Sequence, residues 1–178
     1  GTFLDVKDVV DLRLNVSTLR AVTTYLRARD AERFPALIKM TESVELFPDI
    51  EREIERIINK YGEVKDTASP QLAEIRRSIL LAQSSISKTL NAILRQAQAS
   101  GIVDKEAAPT IREGRLVIPV SAMNKRKIQG IIHDESATGK TAFVEPTAVV
   151  EVNNRLRELE NEERREIIRI LVAFTNLV

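Results

Sequence analysis

The chain has 178 residues with neither Cys nor Trp, and 27 Lys plus Arg stand against 26 Asp plus Glu for a net charge of +1. A disulfide framework, a thiolate metal site and a Cys nucleophile are excluded. Near-zero charge gives no global electrostatic case for nucleic acid, and aromatics at 4% argue against a stacking platform for single-stranded bases.

Apolar runs are a few residues long, far short of the roughly 20 a membrane helix needs, so no membrane partner is expected. The start, Gly-Thr-Phe-Leu-Asp-Val, has no basic stretch leading into an apolar one, hence no secretory signal. The expectation is a cytoplasmic protein.

The first region reads as short helices. Leu4, Val6, Val9, Val10, Leu12 and Leu14 make one apolar face. Asn15 or Ser17 can cap a second helix to about Arg29, with Leu19, Val22, Tyr25 and Leu26 inward. Pro35 suits the first turn of a third, ending near Val44. Pro48 and Asp49 open a fourth, striped by Ile50, Ile54, Ile57 and Ile58, and Tyr61-Gly62 ends it.

After a polar connector, Ser69-Pro70 gives cap followed by proline at the first helical position. The helix it starts has no internal Gly or Pro to about Ser100, or about 46 Å at 1.5 Å per residue. Leu72, Ile75, Ile79, Ala82, Ile86, Thr89 and Ile93 alternate three and four apart, a coiled-coil seam interrupted by Thr89. So narrow a stripe needs a partner. The pattern resumes after Pro146 with Val149, Val152, Leu156 and Leu159, then Ile167, Ile170, Phe174 and Leu177. The step from Leu159 to Ile167 is eight, which predicts a seam irregularity. Arg155, Arg157, Glu158, Glu162, Glu163, Arg164 and Arg165 fall on the exposed face. Two helices of similar length joined by about 45 residues should pack antiparallel. The pattern runs to Leu177-Val178 without a cap, so the chain is expected to continue in a longer protein.

The joining segment changes period. Arg115–Val120 reads as a strand, with Pro119 favouring an edge or bulge. Lys127–His133 and Thr141–Val144 read as two more, with turns at Asn124 and Ser136–Gly139. The predicted fold is mainly α, with a small antiparallel β subdomain on a long two-helix arm.

Three features could carry chemistry. Gly139-Lys140-Thr141 looks like the end of a phosphate-binding loop. That loop needs Gly five residues before the Gly-Lys pair and a helix after it. Position 134 is Asp, and a strand follows, so a turn carrying a Lys is the better reading. His133, Asp134, Glu135 and Glu145 could form an acid–base or metal site. But His133 and Asp134 are neighbours in a strand and point to opposite faces, and no second His completes a zinc set. No catalytic residue, metal site or cofactor is therefore expected here. Third, across residues 111–140 Arg112, Arg115, Lys125, Arg126, Lys127 and Lys140 outnumber Glu113, Asp134 and Glu135, for a local +3. Phosphate contact needs cations with reach and little else. Composition leaves phosphate contact and a solvated hairpin turn both open.

Particular segments carry more. Ile111-Arg-Glu-Gly-Arg-Leu-Val-Ile-Pro-Val120, Gly130-Ile-Ile-His-Asp-Glu-Ser-Ala-Thr-Gly139, Thr141-Ala-Phe-Val-Glu-Pro146 and Val152-Asn-Asn154 closely resemble the MutS family, most of all its second bacterial type. Asp66-Thr-Ala-Ser-Pro70 with Leu72, Ile75 and Arg76 does so too, and the likeness covers essentially the whole chain. The resemblance implies a core, lever and clamp region. Residues 1–68 would be helical core, 69–110 the outgoing lever and link, 111–146 the β clamp, and 147–178 the returning lever. It further implies a parent protein that is a homodimeric ATPase using ATP and Mg, with a C-terminal Smr nuclease domain. Neither the ATPase nor the nuclease falls on residues of this chain. The expected role is a non-catalytic clamp and lever module that binds branched or mismatched double-stranded DNA in recombination control or repair. The alternative is an interaction arm acting on collided ribosomes. Arg115, Lys125, Arg126, Lys127 and Lys140 are the expected backbone contacts. His133, Asp134, Ser136, Gly139 and Glu145 are expected to shape the clamp turns. Asn153 and Asn154 are expected to bond from the returning helix to the clamp backbone.

Overall fold

The computed structural model describes residues 2–178. The chain is mainly helical with a small antiparallel sheet, as its periodicities predict, and the sheet has four strands where three were expected. Helices α1 (Val6–Arg27), α2 (Pro35–Glu42) and α3 (Pro48–Ile57) precede the long α4 (Pro70–Ala99). Strands β1 (Thr110–Arg112), β2 (Arg115–Ser121), β3 (Gly130–Glu135) and β4 (Thr141–Pro146) follow, and α5 (Thr147–Thr175) ends the fold. The chain divides into two compact units, one of residues up to Ala73 with Arg164–Val178, the other Glu74–Glu163.

In the first unit, the predicted break at Asn15–Ser17 is absent, and α1 is a single helix. Its cap lies earlier: the Asp5 carboxylate accepts from Asp8 N while the Asp8 side chain accepts from Asp5 N. Ser17 turns its hydroxyl back onto the Leu14 carbonyl, which lets a cap-type residue sit inside a helix. The buried positions of α1 are Val9, Val16 and Thr23, seven apart. Leu19, Val22 and Tyr25, expected inward, are exposed. Arg27 ties α1 to the end of α2 through the carbonyls of Thr41 and Val44. The core gathers Val9, Ile54, Ile57, Ile58, Val64 and Leu72 with Ile170, Leu171 and Phe174. Gly62 turns the chain after α3 at φ +82°, where a side chain would be strained.

In the second unit, α4 and α5 run antiparallel. The end of α4 (Ile93, Ala97) and the first turn of α5 (Thr147, Ala148) line one cleft, while Arg76 near the other end bonds Glu163. Ile75, Ile79 and Ile86 of the predicted seam are buried. Beyond Ile86 the buried positions become Leu90, Leu94 and Ala97, one residue past the predicted Thr89 and Ile93. A helix of 3.6 residues per turn drifts against a seven-residue repeat. The surface it covers here is also a sheet, since Ile118, Val120 and Val144 share the cluster.

The sheet order is β1-β2-β4-β3. Strand β1 is an addition to the predicted set. It joins β2 through Glu113-Gly114, both at positive φ (49° and 74°), as a two-residue type I′ hairpin requires. Beyond Val117, β2 has a neighbour on one side only. Pro119 falls there, where its missing N–H removes no ladder bond on the open side. Strand β3 starts at Gly130 rather than Lys127, because Lys127 N bonds to Asn124 O and closes a turn. Gly130 has no room for a side chain: a Cβ would overlap the Glu145 carbonyl.

Candidate nucleic-acid interface

At the centre of the β subdomain lies Glu145, which is fully buried. Its Oε1 accepts from Arg115 Nη1 at 2.8 Å and from Asn153 Nδ2 at 2.7 Å. Its Oε2 meets His133 Nε2 at 2.5 Å. Arg115 Nη2 then reaches Asn154 Oδ1 at 2.7 Å. Strands β2, β3 and β4 and helix α5 thus converge on one carboxylate. Burial by itself would push the Glu145 carboxyl up. The hydrogen bonds from His133, Asn153 and Arg115, with the guanidinium charge, outweigh it and hold the carboxyl below its ordinary range.

A bulge delivers His133 to that carboxylate. Ile132 pairs with Val144 and Asp134 with Phe143, which leaves His133 as the extra residue in β3. Such an extra residue re-aims its side chain. Asp134 meets Arg112 at 3.3 Å, and the Arg112 guanidinium lies over the Phe143 ring, 4.1 Å from its centroid. The two neighbours therefore serve different partners.

Gly139 sits in the β3–β4 hairpin turn at φ +66°. Ser136 closes that turn: its N–H donates to Thr141 O, and its hydroxyl accepts from Thr141 N. A strand follows Lys140, so Gly139-Lys140-Thr141 lacks the helix that a phosphate loop opens. Among the described residues no group of three or more His, Asp or Glu is placed to hold a metal ion. No helix of the described chain is long and apolar enough to cross a membrane.

The expected backbone contacts separate into two sets. Arg115 is bound by Glu145 and Asn154, with its side chain 15% exposed. Lys125 pairs with Glu135 at 2.8 Å. Arg126, Lys127 and Lys140 are exposed, and among the described residues their side chains have no hydrogen-bond or ion-pair partner. Lys140 stands just before the first residue of β4, whereas Lys127 lines a cleft with Pro146 and Thr147 at the other end of that strand. Ala122 N donates to Lys140 O at 2.9 Å, joining the turn before Arg126 to the β3–β4 hairpin. Asn153 does reach sheet backbone, at Leu116 O, but its 3.4 Å bond there is longer than its bond to Glu145. Asn154 serves Arg115 instead.

Sequence reasoning missed Gly130 and the role of Glu145 as the shared acceptor. A Gly inside a strand pattern is a signal for close backbone approach. Nothing local marks Glu145, whose partners lie 8, 12 and 30 residues away.

Fold and charge define a class: an antiparallel β subdomain carried on two helices, fixed to one of them through a buried ion cluster, with free cations on its surface. No family model matches the chain. It is 39% identical over its whole length to endonuclease MutS2 of Symbiobacterium thermophilum, and 39% identical over 98% of its length to endonuclease MutS2 of Pelotomaculum thermopropionicum. The protein of that name from Thermomicrobium roseum is also 39% identical across the whole chain. The chain belongs to the MutS2 branch of the MutS family. It spans 22–24% of the length of these relatives.

Proposed function

We propose that this part of a MutS2-type protein is a non-catalytic clamp and lever module that holds DNA through its phosphates, without reading sequence. The observation that carries the reading is the set of free, exposed cations on the β subdomain, Arg126, Lys127 and Lys140. In the same subdomain Arg115, Arg112 and Lys125 are each matched to a carboxylate. Of these carboxylates only Glu145, the partner of Arg115, is buried, and a cation held by a buried carboxylate cannot swing to a phosphate without leaving that charge unpaired. A free one displaces counterions when it meets a phosphate. Arg115 thus shapes the subdomain, and the three free cations grip. In the parent protein, an ATPase with a nuclease domain would act on what this module holds.

The test is a fluorescence titration of the 178-residue chain against a labelled four-way DNA junction at several salt concentrations. Changing Arg126, Lys127 and Lys140 together to Ala should weaken binding. It should also reduce the slope of log K against log salt by about 1 for each phosphate no longer neutralised. Changing Arg112 to Ala should leave the slope alone. An unchanged slope in the triple variant would remove these three cations as the DNA-binding surface.

A further inference from the structure

Met123 is 91% exposed, more than any other large apolar residue described in the chain. It is not on a loose loop. It sits in the 3-10 turn Ala122–Asn124, and both neighbours are tied down. Ala122 N donates to Lys140 O at 2.9 Å, and Asn124 Nδ2 donates to Ile102 O at 3.0 Å. Lys127 N closes the turn onto Asn124 O at 2.8 Å. A pinned turn therefore presents an unbranched apolar side chain to solvent, beside the backbone of Lys140 and just before Arg126 and Lys127. An exposed thioether gains nothing from water, and its flexible, polarisable stem adapts to a flat surface. The unpaired cations that follow it in the chain, Arg126 and Lys127, and Lys140, whose carbonyl bonds Ala122 N, complement a polyanion and oppose a basic partner.

We propose that Met123 is a wedge. It enters an opened base step of the nucleic acid while Arg126, Lys127 and Lys140 hold the neighbouring phosphates. This rests on the phosphate-grip reading above and adds a preference to it. Apolar side chains inserted between base steps must unstack them, at a cost met most readily where stacking is already broken. Continuous duplex opposes the wedge, whereas a branch point accepts it. The module then distinguishes branched from continuous DNA without reading a base edge.

The experiment compares the 178-residue chain with its Met123→Ala and Met123→Gln variants on a four-way junction and on continuous duplex of equal length. The junction carries 2-aminopurine at the branch. Wild type should favour the junction and raise the 2-aminopurine signal on binding. Met123→Ala and Met123→Gln should each lose about tenfold on the junction, keep their duplex affinity and salt slope, and leave the fluorescence flat. Met123→Leu should retain the preference. Equal loss on both DNAs, no loss on either, or no junction preference in wild type overturns the wedge. The triple cation variant separates the two ideas: if it keeps the wild-type salt slope, the phosphate grip fails, whatever Met123 does.

Discussion

Glu145 shows how one residue fixes a subdomain. A buried carboxylate is stabilising only when every oxygen is matched, and here Arg115, Asn153 and His133 match both. Changing Glu145 to Ala leaves a mostly buried guanidinium with only Asn154 to meet it. Loss of one partner of such a pair should cost about 3 kcal/mol, read by urea unfolding. A variant as stable as wild type would show that the cluster does not hold the subdomain together. The pH dependence has a definite sign. The folded carboxyl lies below its ordinary value of 4.5, so its contribution is complete above that value. It is lost as pH falls through the lower folded value. Wild-type stability should therefore drop below about pH 5 more steeply than that of Glu145→Gln, since Gln has no proton to take up. Parallel pH profiles would show that the charge contributes nothing.

At the scale of elements, the step of eight in α5 disappears. Leu156, Leu159, Glu163, Glu166 and Ile170 step three and four apart, and Glu166 is buried to 3% exposure. Two glutamates occupy seam positions because their partners come from the stretch that starts and forms α4. Arg76 Nε bonds Glu163 at 2.6 Å, and the Ser69 hydroxyl donates to Glu166 at 2.5 Å. The Arg169 hydrogen bond, opposed by burial and reinforced by Ser69, holds the Glu166 carboxyl below its ordinary range. The same Ser69 oxygen accepts from Leu72 N at 3.0 Å, which caps α4. The cap and the seam thus share one hydroxyl. Ser69→Ala should cost about 1–2 kcal/mol. In a double-mutant cycle with Glu166→Ala, the two losses should fall short of additive by about 1 kcal/mol. Strict additivity would mean that the cap and the carboxylate act separately. The glutamates also explain why the observed seam differs from the predicted one: a search for apolar residues passes over a glutamate whose partner is 97 residues away.

At the scale of the whole molecule there are two cores, each with its own buried cluster. Ile118 and Phe174 probe them, at 0% and 1% exposure. Each change to Ala should cost about 3–4 kcal/mol. Amide hydrogen exchange should report the first loss in β2 and β4 and the second in α1 and α3, because stability is local to a cooperative unit. If Phe174→Ala lowers protection in the sheet as much as in α1, the two cores act as one.

The helical arm and the β insertion were legible in the residues alone, because periods of 3.6 and 2 and the chemistry of Pro and Gly are local properties. Proline marked α2, α3 and the start of α4, the Asp at 134 ruled out the phosphate loop, and the motif segments pointed to the family. Three things waited for the folded chain: which cations are free, where the histidine points and why glutamates lie in a seam. Arg115 and Arg126 are indistinguishable as letters. They differ because β4 and α5 bring Glu145 and Asn154 to Arg115 from 30 and 39 residues away, while no carboxylate is brought to Arg126. Charge pairing depends on neighbours in space, and β order, bulge and register set those neighbours only once the chain has closed.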